Sequence, residues 1–192
     1  MKPREAEPRL QANYAAIRIR RMRPDDVSLL AQVDRSEKIE RICRVENGQE
    51  VWTEAGHECP GWNDEQLEGL QSRFLRELEA GGTAFGAYDG ERLAGFGLLG
   101  HRRIGPKRDK LAVDLMYVGR PYRRRGIATR FMQLLGQAAA EAGAGYLYIS
   151  SAESSSAVGF YRSIGGENTA EPDAELLALE PLDIHMTRRL KS

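Results

Sequence analysis

Val118-Gly-Arg-Pro-Tyr-Arg-Arg-Arg-Gly-Ile-Ala128 is the stretch on which the interpretation of this sequence depends. It follows the apolar run 111–118, which is typical of a buried strand, and it leads into a helix-like run that begins at Ile127. The first amides of a helix lack backbone partners and carry the positive end of its dipole, so they bind phosphate well. Gly126 leaves the backbone accessible to a phosphate, and three successive arginines add positive charge. For this stretch taken alone, a basic loop that caps a helix is the alternative.

The composition favours a water-soluble globular protein. The chain has 192 residues, so we expect a tail at residues 1–13 and a single domain at residues 14–192. Its 28 basic and 28 acidic residues balance, which argues against nucleic acid or an anionic membrane as a partner. No apolar run reaches the roughly 18 residues of a spanning helix, and the polar N-terminal segment lacks the apolar core of a signal peptide. We therefore expect a cytoplasmic location.

Two cysteines and a nearby histidine raise the question of a metal site. Cys43, His57 and Cys59 supply three potential ligands, but the sequence offers no fourth ligand at a spacing that fits a common zinc site. In a reducing compartment both cysteines stay as thiols. The sequence therefore predicts buried or half-buried thiols and no metal.

The N-terminal half predicts a strand, a helix, a hairpin and a second helix. Apolar residues alternate with arginine at 17–22, as in a half-exposed strand, and Pro24-Asp-Asp26 predicts a helix start, with the helix ending near residues 35–38. Asn47-Gly48 separates two alternating runs and predicts a β-hairpin, because both central residues of a type I′ turn need positive φ. Asn63 is expected to cap a helix that ends at Gly81-Gly82.

The C-terminal half predicts a β-α-β unit followed by a short helix and two closing strands. Its expected elements are a hairpin at 83–99, a central strand at 111–118, a helix at 127–141, a strand at 146–150, a short helix at 157–161, and strands at 176–179 and 182–190. A strand, a helix and a strand in this order imply that the two strands run parallel.

This order of elements resembles the GNAT superfamily of acyl-CoA-dependent N-acyltransferases, most specifically at two motifs. Arg123-Arg-Arg-Gly-Ile-Ala128 matches the pyrophosphate-binding turn Arg/Gln-x-x-Gly-x-Gly/Ala, with Val118 at its expected place before the turn. Residues 154–166 are similar to the motif Asn-x-x-Ala-x-x-Phe-Tyr-x-x-x-Gly-Phe. The resemblance covers residues 83–166. It implies an α/β (α+β) fold with a mixed, mostly antiparallel, splayed sheet of about six or seven strands and about four helices, to which the N-terminal hairpin is an addition.

Four positions depart from the family pattern. Arg124 stands where the turn usually has its first glycine, and the proline has moved one place, to Pro121. Ser154 replaces the asparagine that often holds the pantetheine arm, and Gly166 replaces a phenylalanine. None of these changes removes a group that the family's chemistry requires.

The resemblance implies acetyl-CoA as co-substrate and no metal. Where the sheet splays, main-chain groups of the central strand would bind the pantetheine and the thioester carbonyl. The backbone amides of the turn would hold the pyrophosphate, while its arginine side chains reach toward the 3′-phosphate. The cofactor-binding residues expected on this basis are Met116, Tyr117, Val118, Arg123, Arg124, Arg125, Gly126, Ile127, Ala128, Thr129 and Ser154.

Two side chains are candidates for proton transfer. Tyr161 matches the tyrosine that in the family protonates the departing thiolate; the alternative is a core tyrosine beside Phe160. Asp114 is the one charged residue of an otherwise apolar strand, and regular alternation would put it on the same face as Met116 and Val118. It is either a catalytic base, an anchor for the amine, or one half of an ion pair with an arginine such as Arg20.

The resemblance implies transfer of an acetyl group from acetyl-CoA to a primary amine, directly and in a ternary complex, and no cysteine lies near the cofactor motif to carry the acetyl group instead. The acceptor, a small molecule or peptide, should enter over the first helix and residues 39–62, where acids attract a cation or form a solvated face. The alternative is a CoA-binding sensor that has lost catalysis, although the retained Tyr161 weighs against it. We expect a monomer or a homodimer.

Overall fold

The computed structural model describes residues 17–190, which contain one large mixed sheet, a separate hairpin and helices on both faces of the sheet. The predicted tail at residues 1–13 lies outside the described residues. The strands are β1 (Ile17–Arg21), β2 (Glu37–Glu46), β3 (Gln49–Cys59), β4 (Thr83–Asp89), β5 (Arg92–Ile104), β6 (Lys110–Val118), β7 (Tyr146–Ser151), β8 (Glu167–Asn168) and β9 (Ile184–Arg189). The α-helices are α1 (Asp64–Glu79), α2 (Ile127–Glu141), α3 (Ser155–Ser163) and α4 (Ala174–Leu179), and 3-10 helices span Pro24–Gln32 and Arg120–Tyr122.

The main sheet has seven strands in the order β1-β4-β5-β6-β7-β9-β8. All neighbouring strands are antiparallel except β6 and β7, which run parallel as the β-α-β unit requires. The predicted α/β (α+β) class, with a mostly antiparallel sheet and an additional hairpin, is confirmed.

The sheet is splayed between its two parallel strands. Residues 110–113 of β6 pair with residues 146–149 of β7, and the pairing stops there. On its other edge β6 stays paired with β5 as far as Val118, which lies opposite Gly95. From Asp114 onward, the backbone N–H and C=O groups on this edge of β6 therefore face a gap between the two strands and have no partner strand.

The N-terminal hairpin of β2 and β3 forms a two-stranded sheet of its own. Asn47 and Gly48 have φ values of 51° and 78°, as a type I′ turn requires, so the predicted hairpin is confirmed. The backbone N–H of Cys43 donates to the carbonyl of Glu153 at 2.8 Å, and Ile42 forms a β-bridge with Ser154. The hairpin is thus fastened to the loop between β7 and α3.

Two sequence predictions about local structure are wrong. The helix that begins at Pro24 is a 3-10 helix and ends at Gln32, because the Asp34 side chain accepts the N–H of Ser36 at 2.9 Å and turns the chain into β2. Residues 176–179, expected as a strand, belong to α4, which Asp173 caps by accepting the N–H of Leu176 at 3.2 Å. A short apolar run does not by itself distinguish a strand from a buried helical turn.

The core lies in two layers, one on each face of the sheet. The predicted cap Asn63 begins α1, and this helix packs Leu70 and Phe74 on one face together with the first 3-10 helix. On the other face α2 and α3 pack side chains such as Leu135 and Val158 against β6 and β7. Among residues 17–190, no helix is both long and apolar enough to cross a bilayer.

Candidate active site

The turn from β6 into α2 presents free helical amides to open space. Gly126 caps α2 with a φ of 77°, and the first bond along the helix runs from the N–H of Arg130 to the carbonyl of Gly126 at 2.9 Å. The amides of residues 126–129 precede that bond and point out of the helix end. A Cβ placed on Gly126 would meet no atom within 4 Å, so the space above these amides is empty of protein. This geometry fits a phosphate group.

Arg124 occupies the place of the family's first glycine and adopts a glycine-like backbone. Its φ is 61°, in the left-handed region that costs an ordinary residue about 1–2 kcal/mol. The departure from the motif therefore keeps the backbone path of the turn and adds an exposed cation to it.

The three arginines of the turn have different surroundings. Arg123 braces the end of β6, because its Nε donates to the carbonyl of Val118 at 3.0 Å and its terminal nitrogen donates to the carbonyl of Arg35 at 2.9 Å. The guanidinium of Arg125 lies over the ring of Tyr122, 5.5 Å from its centre. Arg123 thus holds the turn in shape, and the contact of these arginines with the 3′-phosphate stays a prediction.

A β-bulge interrupts β6 at Asp114. Leu115 lies opposite Leu98 and Val113 lies opposite Leu99, so Asp114 is an extra residue between two regular pairs. Beyond it, Met116 and Val118 pack on the α2 face, whereas Leu115 and Tyr117 pack on the α1 face. The prediction that Asp114 shares a face with Met116 and Val118 is wrong, because the bulge changes the alternation.

Asp114 forms an ion pair with Arg73 of α1. The two carboxylate oxygens of Asp114 accept from Nε and a terminal nitrogen of Arg73 at 3.0 Å and 2.9 Å. Arg73 also contacts Glu180 at 3.4 Å, whereas Arg20 pairs with Asp26 at 2.8 Å. The structure therefore contains the ion pair that was one alternative for Asp114, but its partner is Arg73 rather than Arg20.

A cavity of about 300 Å³ lies on the same face of the sheet as this ion pair, between α1, β5 and α4. Arg73 and Asp114 lie on its wall, as do His101 and Glu77, whose Nδ1 and Oε2 atoms are 2.7 Å apart. The cavity gives a small molecule a way to the bulge from the side opposite α2.

Tyr161 projects from α3 into the core layer on the α2 face of the sheet. Its ring lies 5.2 Å from that of Phe160, and only 8% of the residue is exposed. Burial, with the nearby Tyr117 and Asp183, raises the pKa of the phenol well above its usual value, so the hydroxyl keeps its proton. The phenol therefore carries a proton near neutral pH, as a general acid must.

Ser154 caps α3. Its hydroxyl accepts the N–H of Ala157 at 3.3 Å and lies 3.1 Å from the hydroxyl of Ser156, and the residue is 5% exposed. In this arrangement the hydroxyl serves the helix start, so its contact with the pantetheine stays a prediction.

Asp183, just before β9, is a further candidate site residue, which the sequence reasoning missed. Ser150 donates to its carboxylate at 3.1 Å. Burial, and then the neighbouring Glu180, raise the pKa of Asp183 to about 7. The signal in the sequence was an acid between the apolar Leu182 and Ile184, the same kind of signal that drew attention to Asp114.

Comparisons with known proteins agree with this fold. The sequence profile described as the Acetyltransferase (GNAT) family matches residues 44–165, and the chain belongs to this family. Among curated protein sequences, none matches the chain.

Several solved structures are similar across nearly the whole fold. Nourseothricin acetyltransferase superposes with a TM-score of 0.64 at 19% identity, covering 92% of this chain and 99% of that one. A putative streptothricin acetyltransferase from Bacillus anthracis, in complex with acetyl coenzyme A, gives 0.69 at 14% identity with the same coverage. PaiA N-acetyltransferase from Thermoplasma acidophilum, in complex with coenzyme A, gives 0.60 at 16% identity, covering 91% of this chain and 99% of that chain. These likenesses show a common fold.

Proposed function

We propose that this protein transfers an acetyl group from acetyl-CoA to a primary amine, directly and in a ternary complex. The observation that carries the proposal is the alignment of the unpaired edge of β6 with the amides at the start of α2. A long ligand with a phosphate at one end and amide groups along its arm fits such a groove. Two of the similar structures were determined with acetyl coenzyme A or coenzyme A, which supports the choice of ligand.

In this proposal the amides of residues 126–129 hold the pyrophosphate, and the edge formed by residues 116–118 holds the pantetheine. Arg124 and Arg125 add positive charge beside the phosphates, and Ser154 lies near the arm. Acetyl-CoA supplies the activated acyl group as a thioester. We propose no metal; among residues 17–190 there is no cluster of three or more His, Cys, Asp or Glu side chains able to hold one.

Tyr161 is the proposed acid. Its phenol gives a proton to the sulfur as the carbon–sulfur bond breaks, so that a neutral thiol leaves rather than a thiolate. Because burial disfavours the phenolate, the hydroxyl takes a proton back at once from the attacking nitrogen. Such a relay needs the nitrogen, the thioester and the phenol to meet at the gap between β6 and β7.

The acceptor is proposed to be a cationic amine of a small molecule or peptide, entering from the α1 face through the cavity beside Asp114. Nourseothricin and streptothricin, which give two of the similar proteins their names, belong in the first panel of acceptors. The proposed compartment is the cytoplasm, with Cys43 and Cys59 as free thiols.

Calorimetry and a thiol-release assay test the proposal in two steps. We expect acetyl-CoA to bind at micromolar to millimolar concentration, and the absence of binding would contradict the phosphate site. We then expect thiol release with at least one member of a panel of streptothricins, aminoglycosides, polyamines, amino acids and peptide N-termini. Binding without release for every amine would favour the sensor that has lost catalysis.

A further inference from the structure

The wall of the gap opposite β6 carries an acidic pair. Ser150 is the first residue of β7 beyond its last pairing with β6, and it points to the α1 face because Ile149 points to the α2 face. Ser150 holds the carboxylate of Asp183 at 3.1 Å on that face. The backbone N–H of Asp183 donates to the carbonyl of Glu180 at 3.1 Å, and the Glu180 carboxyl raises the pKa of the Asp183 carboxyl, so two interacting carboxyl groups lie beside the gap.

The pair belongs to a network of charged side chains that connects the two sides of the gap. Arg73 contacts Glu180 at 3.4 Å and holds both oxygens of Asp114 on β6. One guanidinium therefore contacts two carboxyl groups, those of Asp114 and Glu180, and the third carboxyl group, that of Asp183, interacts with Glu180. The other groups that interact with Asp183 are Glu153 in the loop after β7, Tyr117 of β6 and Tyr161 of α3.

We propose that Asp183 is the proton acceptor for the incoming amine, that Glu180 helps to hold the ammonium, and that Arg73 and Asp114 position this pair. The inference rests on the proposed acetyl transfer and names the base for it.

Asp114 is less suited to the task than Asp183. Both oxygens of Asp114 accept hydrogen bonds from one guanidinium, so a proton could be transferred there only by breaking an ion pair. Asp183 has a hydroxyl and a second carboxyl as its neighbours, so it accepts a proton without breaking an ion pair. A pKa near neutrality matches the requirement for a base that exchanges protons with solvent.

The proton balance is as follows. The ammonium R–NH₃⁺ gives one proton to the ionised carboxylate of Asp183, and the lone pair so released forms the nitrogen–carbon bond while the carbon–sulfur bond breaks. The second proton of the nitrogen replaces the one that Tyr161 gives to sulfur. The products are the acetamide, CoA–SH and one proton, which Asp183 returns to solvent.

The first test is the pH dependence of turnover, with any amine of the panel that the wild type acetylates. In the wild type kcat/KM should rise with pH through about 7, as Asp183 ionises. Asp183→Asn should lower kcat/KM by about 100-fold or more and remove this rise, while the protein stays folded and the Kd for acetyl-CoA stays close to the wild-type value. Glu141→Gln, at the exposed end of α2, is the matched control and should retain both rate and profile.

A second variant separates a base from a merely structural residue. Glu180→Gln removes the negative charge beside Asp183, so the rise in kcat/KM should move to lower pH by about one unit. A rise that persists in Asp183→Asn, or that does not move in Glu180→Gln, contradicts the inference and leaves acetyl transfer intact. If the wild type binds acetyl-CoA and acetylates no amine, the proposed function itself fails.

Discussion

The two faces of the splayed sheet carry different charged groups next to the gap between β6 and β7. On the α2 face, helical amides and exposed arginines surround the end of β6, whereas beside the gap on the α1 face one arginine contacts two carboxyl groups and a third carboxyl group, that of Asp183, interacts with one of them. A polyanionic cofactor and a cationic amine would each be attracted to one face and repelled from the other. In such an arrangement the two reactants approach from opposite faces of the sheet. They meet only at the gap between β6 and β7.

The substitution with the largest expected effect is Gly126→Asp, which tests phosphate binding on the α2 face. The new carboxylate would lie in front of the helix amides and occupy the space of a phosphate, at a backbone φ of 77°. We expect the Kd for acetyl-CoA to rise by about 100-fold or more, because two or more charge-assisted hydrogen bonds are lost. Gly143→Asp is the control: it also has positive φ, 81°, but lies at the opposite end of α2, and its affinity should not change. Retained affinity in Gly126→Asp would contradict phosphate binding at these amides.

Tyr161→Phe tests the proposed role of this tyrosine as the acid that protonates the departing thiolate. We expect kcat to fall by about 100-fold while the Kd for acetyl-CoA stays the same, because the ring still fills its place in the core. Steady-state thiol release and calorimetry measure these two quantities. Tyr146→Phe, at the far end of β7, should behave as the wild type. Turnover that is unchanged across pH in Tyr161→Phe would contradict the acid role.

Asp183→Asn should also change the dependence of stability on pH. The carboxyl has a pKa of about 7 in the folded protein and an ordinary value of 3.8, so folding binds a proton between these values and the free energy of unfolding falls as pH rises. The loss is complete above about pH 7 and absent well below pH 4. Relative to the wild type, the variant should gain stability on the order of 2 kcal/mol between about pH 5 and pH 8.

Urea denaturation at the two pH values measures this difference, with Glu141→Gln as the control that shows no such gain. A constant difference between variant and wild type at both pH values would mean that Asp183 does not carry a raised pKa in the folded state.

The substitution with the smallest expected effect, Arg124→Gly, tests whether the backbone amides or the arginine side chain binds the phosphate on the α2 face. Arg124→Gly relieves a left-handed backbone and should raise the free energy of unfolding by about 0.5–1 kcal/mol. If the amides dominate phosphate binding, the Kd for acetyl-CoA should change by only about threefold. Arg108→Gly relieves a similar φ of 50° in a loop away from the turn, and it should give the same stability gain with no change in affinity. A large loss of affinity in Arg124→Gly alone would assign phosphate binding to the side chain.

The sequence pointed to the residues of the candidate site on the α2 face and to hardly any of those on the α1 face. The turn at residues 123–128 is contiguous, so its residue types and spacing express its geometry directly, and Tyr161 lies in a second contiguous motif. The charged residues beside the gap, such as Arg73, Asp114 and Asp183, are spread over more than a hundred positions of the sequence, so only the folded sheet brings them together. The hairpin and the β-α-β unit were predictable for the same local reason.

The errors in the prediction also have local causes. Period-two alternation fails wherever a bulge adds a residue, and nothing in the apolar run that contains Asp114 marks the bulge. The short apolar run of α4 fits a strand as well as a helix until the cap at Asp173 is recognised.

The bulge at Asp114 has a consequence for how the chain can change in length. If this residue were deleted, Val113 and Leu115 would alternate regularly, and every other side chain of β6 would keep its present face. The pairing and the side-chain alternation of β6 therefore do not require Asp114. A gain or loss of one codon at this place would add or remove a carboxylate beside the proposed reaction centre without repacking either core layer, a change that few buried strands tolerate.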